Sequence, residues 1–345
     1  MKKVSMKKVS MKNIAKELNV SVTTVSFIVN GKNKEKGISD ATTKKVRDLI
    51  KKRGFNPNAT ARTLRTGKSN TIVLIVEDIA NSFFSSIAKN IEAAAHKNGY
   101  KIFYGSTDNN NYTSESLILN MKNSGVDGFI ITPTNSLSDE ILNLKNENIP
   151  FVLIDRVLPG IETNNVTLDN YKGAYELTKH LIDNGYQRIG FITISEGMSQ
   201  MNDRKRGYQA ALKRKKLKES YLEVKFQDDK LLVIDRIIKY LKDNKELDSL
   251  FFATNYLGIY GLEALQKNKL KIPNDIAVVS FDDNTLFQLN TPSITVASQP
   301  IEEIAATSIE LLLKNINKKG KAPQSVSVLL KPTIIIRNSS TKKQI

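Results

Sequence analysis

A chain of 345 residues, 40% hydrophobic and 25% charged, is too long for one ordinary small domain and too apolar for a disordered one. It has no cysteine, which excludes disulfides and thiolate metal sites, and no apolar run of about 18 residues, which excludes a hydrophobic membrane span. The formal charge of +17 is concentrated, since residues 1–70 hold 18 Lys and Arg against 4 Asp and Glu while residues 71–345 hold 34 against 31. A basic surface confined to one small segment suits a nucleic-acid-binding head, and the apolar periodicity found there argues against a solvated lysine tail. The opening MKKVSMKKVSMKNIA lacks the apolar middle of a secretory signal, so the protein is expected in the cytoplasm. MKKVS occurs twice in tandem, which makes Met6 a second candidate start, and residues 1–9 are read as an extension. His96 and His180 each lie in a helix-like stretch and read as packing or surface residues.

Ser10 is placed to cap a helix through MKNIAKEL, with Ile14, Ala15 and Leu18 on one side. Asn19-Val20 makes a turn, and Ser21 caps a second helix with Val25, Ile28 and Val29 as its apolar stripe. Ser39 begins a third, in which Val46, Leu49 and Ile50 repeat at i, i+3, i+4. Gly54 is placed to stop it in a left-handed cap, with Phe55 folding back onto the core. Three short helices, the first two joined by a tight turn, make a helix-turn-helix over residues 10–56. Its second helix is sized for the major groove, about 12 Å wide. Residues 57–69 follow as a hinge: Pro57 and Gly67 bracket about two helical turns, too short to hold a helix alone in water. Order there is expected only against a surface.

NIAKELNVSVTTVSFIVNGK, GFNPNATARTLRTGKS and, further on, VEDIANSFF resemble the DNA-binding head, hinge and core entry of the LacI/GalR family of bacterial transcriptional regulators. The resemblance implies double-stranded operator DNA as partner. It puts Val22, Thr23 and Phe27 where the family reads base edges, and Ser21, Ser26 and Asn30 where it contacts phosphates. Leu64 falls where the family wedges a leucine into the minor groove, flanked by Arg62 and Arg65. Two departures matter. Phe27 stands where the family usually has arginine, so a bidentate guanine contact is lost; the ring either touches a thymine methyl or turns into the core. The loop GKNKEKG is also longer and more basic than usual, which favours extra phosphate contacts.

From Asn70 onward, apolar runs alternate with helical segments. TIVLIV, KIFYGS, GFIIT and FVLID are separated by helices near 82–98, 113–124 and 137–146; RIGFIT, LEVKF, LFFAT and IAVVSF form a second series. Short apolar strands divided by helices imply parallel sheets covered on both faces. The expected fold is therefore a small all-α helix-turn-helix head plus an α/β core of two doubly wound parallel-sheet lobes, residues 70–340. Open α/β sheets bind ligands beyond the carboxyl ends of their strands, where Asp155, Asn255 and Asp282 stand.

The resemblance implies a core like the periplasmic sugar-binding proteins, crossed three times by the chain, here near 164–168, 291–297 and 328–333. Lobe 1 is then about 70–165 plus 296–329, and lobe 2 about 166–293 plus 332–340. Effector residues carry over as Asn81, Phe83, Phe84, Asp155, Arg204, Asn255 and Asp282. Carboxylates accepting pairs of hydroxyl hydrogens, an arginine donor and aromatic faces suit a polyol, so a sugar-like effector is expected. Each has a plainer reading: Asp155 as a turn cap, Arg204 paired with Asp203, Phe83 and Phe84 as core. Asn81-Ser82-Phe83-Phe84 replaces the usual Asn-Pro-Phe-Phe, Asn255-Tyr256 the usual Asn-Asp. With no Trp, ring stacking falls to Phe281, Phe287 or Tyr256. After Arg337 no leucine heptad follows, which argues for a homodimer over a coiled-coil tetramer.

The reading is a homodimeric regulator, most simply a repressor, whose operator affinity a small molecule controls through the lobe angle. It needs no cofactor, no metal and no membrane. A transporter's solute-binding protein is the alternative, disfavoured by the basic head and the missing signal. A sugar-modifying enzyme finds no nucleophile with a base, no phosphate-cradling loop and no metal cluster in the sequence.

Overall fold

The computed structural model describes residues 9–55, 67–195, 197–318 and 325–341. The chain divides into two units, Met1–Ser69 and Asn70–Ile345.

In the first unit, helices α1 (Met11–Glu17), α2 (Val22–Val29) and α3 (Asp40–Arg53) surround Ile14, Ala15, Val25, Ile28, Val46 and Leu49. The serines expected as caps are the caps: Ser10, Ser21 and Ser39 accept from the backbone N–H of Asn13, Thr24 and Thr42. Each satisfies a donor that the helix cannot, typically worth about 1 kcal/mol. Asn19 makes the turn in a left-handed conformation, φ 50°. Gly54 ends α3 at φ 61°, and the Phe55 N–H returns to the Ile50 carbonyl at 3.0 Å. Arg53 reaches both carboxylate oxygens of Glu17, at 3.0 and 3.1 Å, joining α3 to α1. Residues 57–66 of the predicted hinge, with Arg62, Leu64 and Arg65, lie outside the described residues, as does the extension before Val9.

The second unit holds two six-stranded sheets. The first contains β1 (Thr71–Val76), β2 (Lys101–Ser106), β3 (Gly128–Ile131), β4 (Phe151–Ile154), β5 (Asn165–Leu168) and β11 (Ser327–Leu330). Its order is β11-β5-β4-β3-β1-β2, all parallel. The second contains β6 (Ile189–Ile194), β7 (Ser220–Val224), β8 (Ser249–Phe252), β9 (Ala277–Phe281), β10 (Thr295–Ser298) and β12 (Thr333–Ile335). Its order is β12-β10-β9-β8-β6-β7, with only β12 antiparallel to its neighbour.

Helices α4 (Ser82–Lys97), α5 (Asn111–Asn123), α6 (Ser138–Asn146) and α12 (Ile301–Ile316) belong with the first sheet. Helices α7 (Asn170–Asp183), α8 (Ser199–Arg214), α9 (Lys230–Asp243), α10 (Asn255–Lys267) and the short α11 (Thr285–Leu289) belong with the second. Strand β1 shows why its sequence does not alternate. Val73 and Ile75 pack on the α5–α6 layer, while Ile72, Leu74 and Val76 pack on the opposite layer with α4. Both faces are dry beyond Thr71, so every position from Ile72 to Val76 is apolar.

The three crossings lie after β5, after β10 and between β11 and β12 at Lys331-Pro332. This corrects two of the expected boundaries. Residues 165–168 stay in lobe 1, because β5 pairs with β4 on one side and β11 on the other. Residues 295–298 belong to lobe 2, where β10 pairs with β9 and the chain crosses only at Gln299-Pro300. Both strands are short and mix Thr, Ser and Asn with apolar residues, so they carry no apolar run to mark them.

Close helix packing sets the position of α8. At Gly207 an added Cβ would stand 2.2 Å from the Tyr171 carbonyl oxygen of α7. Only glycine lets the two backbones approach so near, and this contact places Arg204, one turn earlier on α8, beside Asn170 at the start of α7.

Candidate functional site

Two surfaces carry the residues singled out from sequence. On the head, α2 presents Val22, Thr23 and Asn30 exposed and Ser26 half-buried, with Ser21 exposed at its cap. Eight residues at about 1.5 Å rise give a helix about 12 Å long, which matches a major groove. Asn30 turns back on its own helix, donating to the Ser26 carbonyl at 2.6 Å. Phe27 is half-buried and stands outside the head's apolar cluster, with the Lys36 ammonium 5.6 Å from its ring centre. The basic loop after α2 is ordered into a turn: the Lys36 N–H bonds Lys32 O at 3.1 Å and the Ile38 N–H bonds Asn33 O at 2.9 Å. Lys32, Lys34 and Lys36 project from it exposed.

In the core, all seven predicted effector residues line one chamber between the lobes. Asp155 and Asp282 each follow the last residue of a strand, β4 and β9, and both take left-handed backbone at φ 68° and 66°. That conformation turns the chain sharply at the strand end and is strained for a non-glycine residue.

Arg204 is 2% exposed. It donates to Asn170 Oδ1 at 2.8 Å and the Ala253 carbonyl at 2.5 Å, stands 3.5 Å from Asp282, and lies 3.7 Å over the Phe281 ring. The expected alternative partner, Asp203, instead pairs with Arg206 at 2.8 Å. Asp282 also accepts from Gln299 Nε2 at 2.6 Å, and burial pushes its carboxyl above the ordinary range against the pull of Arg204. Phe83 and Phe84 pack edge to face at 4.9 Å and belong to the core as well as to the chamber wall. Of the stacking candidates, Phe281 lies under Arg204, Phe287 is fully buried, and Tyr256 lines the chamber.

The chamber also contains residues that the sequence reading passed over. Glu77, next after β1, and Arg156, next after Asp155, form a buried ion pair. Asn109 joins them, accepting from Arg156 at 2.9 Å and donating to Glu77 at 2.8 Å. Burial raises the Glu77 carboxyl, with Arg156 opposing. Gln200, from the first turn of α8, donates to Asp155 Oδ2 at 3.1 Å, while its Oε1 is buried with no hydrogen-bond partner among the described residues. Among the described residues, three amides thus bridge the lobes. Besides Gln200, Asn255 donates to Asn81 Oδ1 at 2.9 Å and to Ser82 Oγ at 3.1 Å, and Asn284 donates to Ser82 Oγ at 2.8 Å. Glu77 and Arg156 obey the strand-end rule that pointed to Asp155. Gln200 comes from a helix and Gln299 from a crossing, and neither carries a pattern.

Residues 10–58 match the lacI family of bacterial regulatory proteins, and residues 178–340 match the periplasmic binding protein-like domain. The HTH-type transcriptional regulator RegA of Clostridium saccharobutylicum is 33% identical over 323 residues, covering 89% of this chain and 92% of its own. Catabolite control protein A of Priestia megaterium is 31% identical over 312 residues, with the same two coverages. The chain belongs to the LacI family. It is a DNA-binding transcriptional regulator with a helix-turn-helix head and two α/β lobes of the periplasmic-binding-protein type. A periplasmic binding protein/LacI transcriptional regulator from Alkaliphilus metalliredigens, complexed with D-xylulofuranose, aligns with a TM-score of 0.70 at 28% identity. It covers 79% of this chain and 99% of its own. No helix among the described residues of this LacI-family chain is long and apolar enough to cross a membrane.

Proposed function

We propose that this regulator binds operator DNA as a homodimer and releases or gains it when a neutral sugar enters the chamber between its lobes. The observation that carries the effector reading is the buried set of Asp155, Arg204, Asp282 and Gln200 facing one another across the lobe gap. Gln200 Oε1 is a desolvated acceptor unmatched among the described residues, and a ligand hydroxyl would satisfy it. Leaving such a group unmatched costs about 1–3 kcal/mol, so a ligand that supplies the donor gains that much. The xylulofuranose-bound relative supports the same class. Because its target is chromosomal DNA, the protein acts in the cytoplasm, and repression is its simplest output. The chamber is read as a binding site rather than a catalytic one, its charged groups being engaged in mutual pairing.

A homodimer is supported by apolar side chains exposed at the outer strand of each sheet. Phe103, Tyr104 and Tyr112 stand at β2 and α5, and Tyr221, Leu231 and Leu232 at β7 and α9. On the head, Ser21, Val22, Thr23, Ser26, Phe27 and Asn30 are the proposed groove contacts, with Arg62, Leu64 and Arg65 of the hinge completing them. The function is tested by selecting operators from a random DNA pool, then titrating a selected duplex with a sugar panel. Binding that no sugar alters would overturn the effector reading while leaving the DNA reading intact.

Phe27 gives a separate expectation. Since its ring is outside the apolar cluster, Phe27→Arg leaves the head folded and moves the preference at one half-site position towards G. One bidentate arginine–guanine contact is worth about 1–3 kcal/mol of discrimination. Unchanged preference in the variant, or selection of G by the parent, contradicts the assignment.

A further inference from the structure

We propose that the Ser82 hydroxyl is a latch between the lobes, holding the chamber shut and setting how often it opens to an effector. The inference rests on the effector reading above and adds the residue of this chain that governs the opening. Ser82 is the first residue of α4, on lobe 1. Among the described residues, four side-chain amide hydrogen bonds run from lobe 2 to lobe 1, and two of them end on Ser82 Oγ, from Asn255 at 3.1 Å and from Asn284 at 2.8 Å. Proline, which stands here in the family's usual Asn-Pro-Phe-Phe, can accept neither. Locally proline is the better residue: its fixed φ suits the first position of a helix, and the N–H it lacks has no helical partner there. Serine gives up that advantage. Its hydroxyl serves the opposite lobe and not its own helix, whose cap is Asn81, accepting from the Phe83 N–H at 3.1 Å.

The partners are held in place by their own helix ends. Asn255 Nδ2 donates to Asn81 Oδ1 as well as to Ser82, while its Oδ1 accepts from the Tyr256 N–H at 2.7 Å. Asn284 caps α11, accepting from the Leu286 N–H at 2.9 Å, and its neighbour Asp283 is fixed by Arg337 at 2.9 and 2.7 Å. Side chains so fixed lose little further freedom on bonding across the gap. A hydroxyl oxygen has two lone pairs, and the two amides use both. Ser82 and Asn284 also line both spaces that flank the chamber, one beside Tyr256 and Tyr260 and the other beside Ser86 and Gln288. The chamber itself encloses about 30 Å³, against about 300–1,000 Å³ for ordinary small-molecule sites, so the lobes must part before a ligand enters. Ser82 is exposed and water competes for its hydroxyl, which keeps the latch weak enough to open.

The test uses the full chain, without sugar or DNA. Cysteine is absent from the sequence, so Met201→Cys, in the buried chamber wall, supplies a single thiol that an aromatic disulfide reagent reaches when the lobes part. Val233→Cys, buried in the core of lobe 2 away from the chamber, reports unfolding instead. Ser82→Pro and Ser82→Ala are expected to speed labelling of the chamber thiol about tenfold, equivalent to about 1.4 kcal/mol, the joint effect of two neutral hydrogen bonds. Ser82→Thr keeps the hydroxyl and should label at the parent rate. The proline variant retains the helix start, because Asn81 at φ −69° and ψ 126° already has the extended backbone that a following proline requires. Labelling at Val233→Cys should be the same with each of these residues at position 82. Equal chamber labelling in the parent and Ser82→Pro, or both thiols accelerating alike, overturns the latch. Failure of this assay overturns the latch alone, whereas failure of the sugar panel overturns the effector reading alone.

Discussion

Arg204→Ala is expected to lower the stability of the effector-free protein by about 3–5 kcal/mol, because it strands Asp282 as a buried charge with only an amide for company. Gln299 still donates at 2.6 Å, but no cation replaces the guanidinium now 3.5 Å away. The loss also has a pH signature. Burial already raises the Asp282 carboxyl, and removing Arg204, which pulls it down, raises it further. An acid whose folded pKa exceeds its unfolded value binds more protons when folded, so it favours the fold at low pH. The variant's deficit should therefore be smallest below the ordinary aspartate range and grow as pH rises through the raised folded pKa. Denaturant titration of parent and variant across that range measures it. The companion double change, Arg204→Met with Asp282→Leu, should recover most of the stability while abolishing the response to sugar, since apolar pairs of similar volume commonly replace buried ion pairs without loss. An Arg204→Ala protein as stable as its parent at neutral pH would show that the pair is not a desolvated one, and the polyol chemistry assigned to it would lose its basis.

Legibility in the sequence followed the strength of the local signal. Ser10, Ser21, Ser39 and Gly54 were readable as caps because a helix end has few residue types that satisfy its orphan groups. Strands β1 and β2 coincide with the runs TIVLIV and KIFYGS, where β-branched and aromatic residues are bounded by polar ones. Strands β5, β10, β11 and β12 carry no clear strand signal of their own: each has only three or four residues and mixed polarity, and each is defined by its partner rather than by its own pattern. The site divides the same way. Asp155 and Asp282 are visible as polar residues ending apolar strands, and Glu77 and Arg156 stand at strand ends by the same rule. Gln200 and Gln299 enter the chamber only because α8 packs on α7 at Gly207 and because the second crossing falls at 299–300. Nothing local marks either. Phe27 is intermediate: its departure from the family's arginine was plain, but its placement beside Lys36 depends on how the loop folds.

Operator binding is expected to weaken about 10³- to 10⁵-fold between 50 and 200 mM salt, and the affinity should reside wholly in residues 1–70. Those residues carry 18 Lys and Arg against 4 Asp and Glu, while 71–345 carry 34 against 31, too even a balance to attract a polyanion. A loss of that size corresponds to roughly six to ten phosphate contacts, each contributing about −0.9 to the slope of log affinity against log salt. The supply is adequate. Lys32, Lys34 and Lys36 are exposed on the loop after α2, and Lys51, Lys52 and Arg53 on the last turn of α3. Arg53 is partly engaged with Glu17, so it should contribute least. Lys34→Gln should lower the slope by about one and weaken all sequences alike, as a backbone contact does. Lys36→Gln should also disturb discrimination, because its ammonium stands 5.6 Å from the Phe27 ring. Titrating the full chain and the 71–345 fragment against one selected duplex at several salt concentrations decides the matter. A shallow slope in the full chain would remove the phosphate contacts from the account, and a fragment that still binds would place the DNA-binding surface in the lobes instead of the head.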